Sequence, residues 1–453
     1  MSGRDGLEAL LAIGDRVAGM VAAGEQVEAV VLHSRDTEIR VYEGEIEQLS
    51  SAESQGVGIR VVRDHRQGFA YAGTFDDEVL VETVAEARDN ASFGTPDEHL
   101  GLARPDGVAV VPLDLFRESL GSVATDAKVE MALELERAVR GADPRIAGIE
   151  SCDYVDSLSQ GAVVSSTGVR TASRETASYV MAWVLASEAG ETQTGFGFSV
   201  GREPSELDVA AAAADAARRA TRMLGSLKPS SGRLTVVLDP WVTAQFLGIL
   251  GGTLSGEAVL KGRSMFADRV GDHVGSGLLT LVDDPTEAKA FSASATDGEG
   301  LASRRNPLID AGLLRGFVHN SYTGRRMGTA STGSAVRAGF KGTPGVGCRA
   351  LSLLPGTASQ AELIAAIDQG VLVQSVSGLH SGVNPVSGDF STGAEGIRIR
   401  GGALAEPVRE FTIASTIQRM LLDVQAVGSD LEWLPMNAAG VTLVVDDVTI
   451  SGA

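Results

Sequence analysis

The segment Ser377–Val408 has the sequence SGLHSGVNPVSGDFSTGAEGIRIRGGALAEPV, and it decides the fold of the C-terminal half. From Ile397 to Leu404 it alternates isoleucine with arginine and then reaches Gly401 and Gly402. Two glycines between strand-like runs are typical of a tight β-hairpin. The interleaved valine, phenylalanine and isoleucine residues distinguish the segment from a flexible Gly/Ser linker. We therefore predict a shaped site wall that leads directly into paired strands, and the alternative is a set of tight surface turns.

Length and composition restrict the class of protein. The chain has 453 residues, of which 43% are hydrophobic and 55 are glycine. That length predicts two or three domains, and so much glycine favours a sheet-rich protein over a helical bundle. The net charge of −21 repels phosphate backbones, and the aromatic content of 5% offers few stacking surfaces. Both observations argue against nucleic-acid binding.

The sequence also predicts where the protein works. No apolar run approaches the length of a membrane span, and Met1–Glu8 lacks the basic-then-apolar order of a signal peptide. The two cysteines, Cys152 and Cys348, lie far apart, which is typical of a reducing compartment. We expect a cytoplasmic protein that binds no membrane.

The N-terminal pattern predicts an α+β unit, an antiparallel meander flanked by helices. Its predicted elements are a helix over 5–23 stopped by Gly24, strands Val27–His33 and Glu38–Tyr42, a hairpin of Gly56–Val62 with Gly68–Tyr71, and a helix over Asp76–Ser92.

Later segments continue the alternation of strands and helices. A proline- and glycine-rich linker at 94–113 and the segment Lys228–Gly232 predict domains at 1–112, 113–230 and 231–453. The central domain is predicted to contain a helix from Thr125 or Asp126 to Arg140, a buried strand at Ala177–Ala186, and a helix from Ser205–Asp208 to Leu224. The last domain is predicted to contain a strand at Leu234–Leu238, a helix from Pro240 to Leu254, a strand at Leu278–Val282, a helix capped by Ser359 and Glu362 and closed by Gly370, and a final strand at Val441–Ile450.

Common catalytic motifs are missing from the sequence. Gly197–Gly201 has the letters of a nucleophile elbow around Ser199, but a helix does not follow directly. No two of the six histidines lie three or four residues apart, so none form a helical metal pair. The carboxylates in turn motifs, Asp283, Asp284, Asp297 and Glu299, are predicted to accept backbone N–H groups.

Several short segments together resemble the TldD/TldE (PmbA) metallopeptidase family. They are Leu281–Pro285, Asp297–Gly300, Ser331–Ser334, Leu354–Gly356, Gly382–Ser391, Ala426–Leu431 and the closing strand to Gly452. The resemblance implies a two-subunit cytoplasmic protease with a sheet-rich, barrel-like dimer around a cavity. In the TldD-type subunit a His-Glu-x-x-x-His helix and a C-terminal cysteine hold zinc, which suits the ligand preferences of that metal.

This sequence departs from the zinc-binding pattern at every ligand. The window that corresponds to the metal helix is Leu247–Gly252, and it contains no His or Glu. The C-terminal loop Glu432–Ala438 contains no Cys. The resemblance therefore implies a TldE/PmbA-type subunit with no metal or other cofactor of its own. Zinc is expected on a TldD-like partner, and this chain alone is expected to be inactive.

The sequence leads to one main hypothesis of function. The chain is the metal-free half of a heterodimer that cleaves unfolded or modified peptides, and it supplies cavity wall and substrate grip. Its predicted substrate-binding residues are His380, Asn384, Asp389, Phe390 and Ser391. One alternative is a stand-alone peptide-binding or scaffold homodimer. Another is a hydrolase whose nucleophile is Ser199 or a serine within 377–391.

Overall fold

The computed structural model describes the backbone of residues 3–453 and the side chains of residues 6–453. Within that range, the first half of the chain folds into four α-helices and six strands. They are α1 (Gly3–Gly19), β1 (Glu25–Tyr42), β2 (Glu45–Arg63), β3 (Arg66–Ala72), α2 (Asp77–Phe93), α3 (Thr125–Ala142), β4 (Ile146–Ser165), β5 (Arg170–Glu188), β6 (Glu191–Gly201) and α4 (Val209–Thr221).

All six of these strands belong to one antiparallel sheet with the order β3-β2-β1-β4-β5-β6. Odd-numbered residues of β1, such as Val31 and Ile39, are buried with the helices, because successive side chains of a strand point to opposite faces. Even-numbered residues, such as Val30 and Leu32, line a cavity shared with the C-terminal half. The boundary predicted after residue 112 stays a prediction, although β1 and β4 pair across it.

The second half of the chain contains shorter elements. They are β7 (Gly232–Leu238), α5 (Pro240–Thr253), α6 (Gly256–Leu260), β8 (Leu281–Asp283), β9 (Asn306–Asp310), β10 (Leu313–Leu314), α7 (Ser321–Arg326), β11 (Ala335–Val336), β12 (Gly345–Val346), β13 (Leu351–Leu353), α8 (Gln360–Ala365), β14 (Gln369–Ser377), α9 (Leu379–Gly382), β15 (Asp389–Arg400), β16 (Ala403–Thr416), α10 (Ile417–Leu422), β17 (Val424–Val427), β18 (Glu432–Trp433), β19 (Ala439–Gly440) and β20 (Leu443–Ser451).

Five long strands of this half close into a barrel. Their order is β16-β15-β14-β7-β20, and β16 pairs in turn with β20, while β17 is added beside β20. β7 and β14 are parallel, and the other pairs are antiparallel. The strands alternate, so that Val236 and Leu238 join the main core whereas Val237 packs outside with Ile364 of α8. The predicted fold class, an α+β protein with a barrel-like C-terminal domain, is confirmed.

Helix α5 contributes to the same core as the inward-facing strand residues. Its buried residues include Phe246, Leu247 and Leu250, and they pack with Val371 and Val373 of β14. Across the part of the chain that the structure describes, no helix combines the length and the apolar character that crossing a membrane requires.

Local signals predicted several elements correctly. Gly401 and Gly402, with φ of 54° and 78°, form the predicted turn between β15 and β16. Pro240 begins α5 as its first residue, and Ser359 with Glu362 forms a capping box at α8. These elements were predictable because caps and tight turns depend on a few neighbouring residues.

Other boundaries were predicted wrongly. Residues 34–36 do not separate two strands, because β1 is continuous there and pairs on both sides with β2 and β4. Asp208, not Ser205, caps α4, and Ala124 precedes α3. Gly370 lies inside β14 instead of closing a helix, and helix α1 ends at Gly19. Long-range strand pairing explains the differences at β1 and β14, and the Asp208 cap explains the start of α4.

A buried ion cluster joins the N-terminal sheet to the C-terminal half. Arg60 donates to both carboxylate oxygens of Glu28 at 3.1 and 2.8 Å, and its Nη2 lies 3.5 Å from Oε1 of Glu299. Arg337 also donates to Glu28. Burial raises the pKa of Glu28, but the two guanidinium groups outweigh this effect and hold it below its ordinary value. Each carboxylate of the cluster has a cation within hydrogen-bonding distance, which offsets part of the cost of burial.

We expect Arg60→Met to lower the free energy of unfolding by about 3 kcal/mol, because it leaves the buried Glu299 carboxylate without a cation. The matched control is Arg170→Met, which breaks an ion pair with Asp15 whose side chains are 49% and 45% exposed. The control should change stability by less than about 1 kcal/mol. Urea denaturation of both variants tests the prediction, and equal effects would contradict it.

Candidate functional site

The Gly-rich segment, residues 377–388, connects β14 to β15 and contains the short helix α9. Asn384 organises its second half. The Asn384 Oδ1 accepts hydrogen bonds from the backbone N–H groups of Val386 and Ser387 at 2.9 and 3.2 Å. The backbone N–H of Asn384 donates to the carbonyl oxygen of Asp389 at 2.9 Å. Internal hydrogen bonds therefore hold this segment in a defined loop conformation, as its interleaved apolar residues indicated.

Four of the five predicted substrate-binding residues lie on the surface of this region. His380, Asn384, Asp389 and Ser391 are exposed. The Asp389 Oδ2 accepts a hydrogen bond from Ser387 Oγ at 2.6 Å, so this carboxylate holds the loop. Their roles as peptide contacts stay predictions.

Phe390 requires a correction. It is only 4% exposed and lies edge-on to Phe246 of α5, with 6.0 Å between the ring centroids. Because side chains alternate along β15, Phe390 points into the barrel core while Asp389 and Ser391 point outward. Phe390 therefore supports the wall from behind and cannot contact a peptide from this position.

A cleft of about 400 Å³, the α5 cleft, lies between helices α5 and α6 and the Gly-rich segment. Leu379, Val383 and Pro385 form one wall. Gly248 and Gly252 of α5 form the other, and no atom lies within 4 Å of a Cβ built on either glycine. The sequence indicated both walls separately but did not show that they meet.

The parallel pairing of β7 and β14 explains why they meet. Leu238, at the end of β7, lies beside Val373 of β14, and Asp239 donates its backbone N–H to the Val373 carbonyl at 3.0 Å. Asp239 then caps α5 by accepting from the Trp241 N–H at 3.1 Å. Because parallel strands end at the same edge of a sheet, α5 and the Gly-rich segment leave the barrel side by side.

The residues of the α5 cleft do not fit zinc. Zinc prefers imidazole and thiolate ligands, and the side chains that line the cleft in the described structure include neither. The Glu257 carboxylate accepts from Lys261 Nζ at 2.6 Å, and Arg263 adds a second positive charge. Within residues 6–453, no three His, Cys, Asp or Glu side chains are grouped to hold a metal ion.

Cys348 lies on the packed side of α5 and does not supply the missing thiolate. A Cβ on Gly251 would lie 3.6 Å from the Cys348 Sγ. Burial raises the pKa of this thiol well above its ordinary value, which keeps it protonated. The C-terminal loop Glu432–Ala438 runs into β19, which packs against α5, and it brings Trp433 and Met436 but no thiol.

The carboxylates in turn motifs accept hydrogen bonds from backbone N–H groups, as predicted. Asp283 Oδ1 accepts from the N–H groups of Arg349 and Ala350, both at 2.8 Å. Asp297 accepts from Glu299, Leu301 and Ala335 at 2.9 to 3.0 Å. These bonds hold neighbouring loops together, whereas Oδ2 of Asp283 has no hydrogen-bond partner within residues 6–453.

Ser199 is not a nucleophile on an elbow. It lies within strand β6, and its Oγ accepts a hydrogen bond from the Asp208 N–H at 2.9 Å. A nucleophile elbow requires a sharp turn from strand to helix at the serine. The hydrolase alternative therefore loses its first candidate.

Comparison with known proteins defines the class of this fold. Residues 231–452 match the PmbA/TldA metallopeptidase C-terminal domain, residues 27–91 match domain 1 and residues 118–224 match the central domain. The chain belongs to the PmbA/TldD metallopeptidase family.

Individual relatives come from both branches of that family. The chain is 28% identical over 417 residues to the metalloprotease PmbA of Escherichia coli, covering 91% of this chain and 90% of the relative. It is 25% identical over 445 residues to a metalloprotease TldD homolog of Haemophilus influenzae, covering 92% and 91%. The crystal structure of TldE from Thermococcus kodakarensis superimposes with a TM-score of 0.89 at 25% identity, covering 98% of this chain and 99% of that one.

Gly248 of α5 faces open space and Gly251 faces the core, so alanine at these positions should change stability in opposite directions. Gly248→Ala should raise the free energy of unfolding by about 1 kcal/mol, because alanine favours the helix and its Cβ enters open space. Gly251→Ala should lower it by about 1 kcal/mol, because the new Cβ meets Leu351 Cδ1 at 2.5 Å in a filled core. Chemical denaturation measures both, and changes of the same sign would refute the assigned cleft face.

The raised pKa of the buried Asp283 carboxyl predicts that the stability of the protein depends on pH. Burial raises its pKa from 3.8 to about 6, although two backbone N–H groups oppose the shift. Since the folded state holds the proton more tightly, this contribution to stability is complete below the unfolded pKa and is lost as the pH rises through about 6.

Between about pH 4 and pH 8, the wild type should therefore lose about 2 kcal/mol of stability relative to Asp283→Asn, which cannot ionise. Denaturation of both proteins across this pH range measures the difference. Asp310→Asn, at a carboxylate 47% exposed beside Arg315, is the control and should show no such divergence. A constant difference between wild type and Asp283→Asn would contradict the raised pKa.

Proposed function

We propose that this chain is the metal-free subunit of a TldD/TldE-type heterodimeric metalloprotease that acts on unfolded or modified peptides. The α5 cleft carries this proposal. At the position of the family's metal helix, α5 presents Gly248, Ile249 and Gly252, and the neighbouring charges are Glu257, Lys261 and Arg263. Such a set of side chains can shape a cleft but cannot hold zinc.

The cleft suits contact with a peptide. Ile249, Leu379, Val383 and Pro385 provide apolar surface, while Ser255 and Glu257 provide hydrogen-bonding groups. Four exposed residues extend this surface. His380 and Asn384 lie in the Gly-rich segment, and Asp389 and Ser391 lie at the start of β15. In the proposed complex this surface forms half of the cavity wall and grips an extended substrate.

In this proposal the partner subunit carries out the peptide cleavage. A TldD-like subunit supplies zinc, the general base and the activated water, so this chain has no cofactor of its own and is inactive alone. The likeness to TldE supports this assignment, whereas the sequence identity to both PmbA and TldD relatives supports the family as a whole. The proposed site of action is the cytoplasm, consistent with the net charge of −21 and two unpaired cysteines.

Co-expression with a zinc subunit that carries His-Glu-x-x-x-His tests the proposal. The two chains should co-purify with zinc on the partner only, and peptide cleavage should require both chains and be blocked by chelators. Stoichiometric zinc on the isolated chain would refute the metal-free role. A stable homodimer that does not bind the co-expressed zinc subunit would support the alternative of a stand-alone peptide-binding scaffold.

Asp389→Ala should lower peptide cleavage by the pair about fivefold, because the bond from Ser387 that shapes the loop is lost. The zinc content of the pair should stay unchanged, since the metal lies on the partner. Asp310→Ala, which removes an exposed carboxylate elsewhere in the same half, is the control. Loss of zinc from the Asp389 variant would show that the segment contacts the metal site.

A further inference from the structure

A second cavity, the aromatic pocket, lies between the central domain and the barrel. Its volume is about 340 Å³, within the range of about 300 to 1,000 Å³ that is usual for small-ligand sites. Trp183, Phe196 and Trp241 line it, with ring centroids 5.0 Å apart for the first pair and 4.6 Å for the second. None of these residues belongs to the α5 cleft.

Three side chains that line the same cavity carry buried polar atoms without hydrogen-bond partners among residues 6–453. Gln374 is 5% exposed, and its Oε1 accepts no hydrogen bond from any described residue. Its Nε2 donates only to the Met223 Sδ, a weak acceptor, at 3.1 Å. Oε1 of Gln245 and Nη1 of Arg219 likewise have no partner among residues 6–453. Because unsatisfied buried polar groups cost free energy, three of them around one cavity indicate a missing hydrogen-bonding ligand.

Local backbone geometry directs side chains toward this cavity. The pairing of β14 with β15 shifts register at Gln374, and the pairing of β15 with β16 shifts at Glu395. Both residues line the aromatic pocket. Such bulges re-aim side chains and are common beside binding sites.

The charges favour a neutral ligand over an anion. Arg219 already donates to Asp215 at 2.8 Å and to Asp239 at 3.1 Å, and its guanidinium stacks 4.9 Å from the Phe196 ring centroid. Glu395 adds a carboxylate to the lining of the pocket. A phosphate or free carboxylate would therefore meet no unneutralised cation.

The remaining groups match a peptide unit. Nη1 of Arg219 can donate to a carbonyl oxygen, and the amide oxygens of Gln245 and Gln374 can accept from an N–H after rotation about their soft last torsion. Aromatic walls favour a flat apolar side chain, because aromatic rings pair edge-to-face or offset.

We propose that the aromatic pocket binds an aromatic side chain of a peptide together with its adjacent backbone amide. The inference rests on the proposed function for its biological meaning, because it gives the substrate a second anchor on this chain, apart from the α5 cleft. It names the substrate class as peptides that carry an accessible aromatic residue.

The probe is N-acetylphenylalanine amide, titrated into the full-length chain. Two of the three tryptophans, Trp183 and Trp241, line the pocket, so binding should change tryptophan fluorescence, and calorimetry gives the affinity. N-acetylalanine amide, which lacks the ring, and ethylbenzene, which lacks the amide, should each bind at least about tenfold more weakly.

Gln374→Leu should weaken binding about tenfold, because it removes one hydrogen bond to the ligand at nearly constant volume. Gln245→Leu serves as a second pocket variant if the first does not fold. Gln418→Leu is the matched control, since Gln418 also has an unpartnered Oε1 but contacts the Gly-rich segment through Ser387. It should bind like wild type.

Three results would overturn the inference. They are no binding of the probe, equal binding of the ring-free control, or weakening by Gln418→Leu but not by Gln374→Leu, which would place the probe at the Gly-rich segment. The test is separate from that of the proposed function. Co-purification with a zinc subunit is measured without the probe, so either proposal can fail while the other stands.

Discussion

Closure of the five-stranded barrel is the constraint on which the C-terminal architecture depends. Thr412, Ile413 and Ala414 of β16 pair with Ser451, Ile450 and Thr449 of β20, and this pairing joins the two ends of the sheet. Closure satisfies the backbone groups of both edge strands and fills the interior with alternate side chains. Within this barrel β7 runs parallel to β14. The cleft follows directly, because the chain leaves both strands at the same end of the barrel.

The second constraint lies between the two halves of the chain. The sheet supplies Glu28 and Arg60, and the C-terminal half supplies Glu299 and Arg337. Each of these side chains is at most 6% exposed. The net stability that such a cluster contributes is small compared with the cost of removing one partner, since desolvation offsets much of the attraction. The cluster therefore ties the N-terminal sheet to the C-terminal half through buried charges of both signs.

The α5 cleft and the aromatic pocket share a single helix. Gly248 and Gly252 face the cleft, while Trp241 and Gln245 face the pocket. Glycine at these positions of α5 leaves open space beside the helix, and that space forms part of the cleft. The chain is a member of the PmbA/TldD family, and the side chains that line its α5 cleft include no imidazole or thiolate.

The sequence by itself determined the local features. The Gly401–Gly402 turn, the Pro240 start of α5 and the Ser359 cap were predictable because φ restrictions and capping act over a few residues. The lack of metal donors at 247–252 was also visible in the sequence, and so was the Gly-rich segment. The sequence did not show which side chains of that segment point outward.

Only the tertiary structure decided which residues meet. It turned Phe390 into the core, made β1 continuous through residues 34–36, and placed the Gly-rich segment beside α5. It also gathered Arg219, Gln245 and Gln374 around one pocket from three separate elements. These outcomes depend on strand pairings such as β1 with β4 and β7 with β14, which join residues more than a hundred positions apart, and no local pattern in the sequence encodes such pairings.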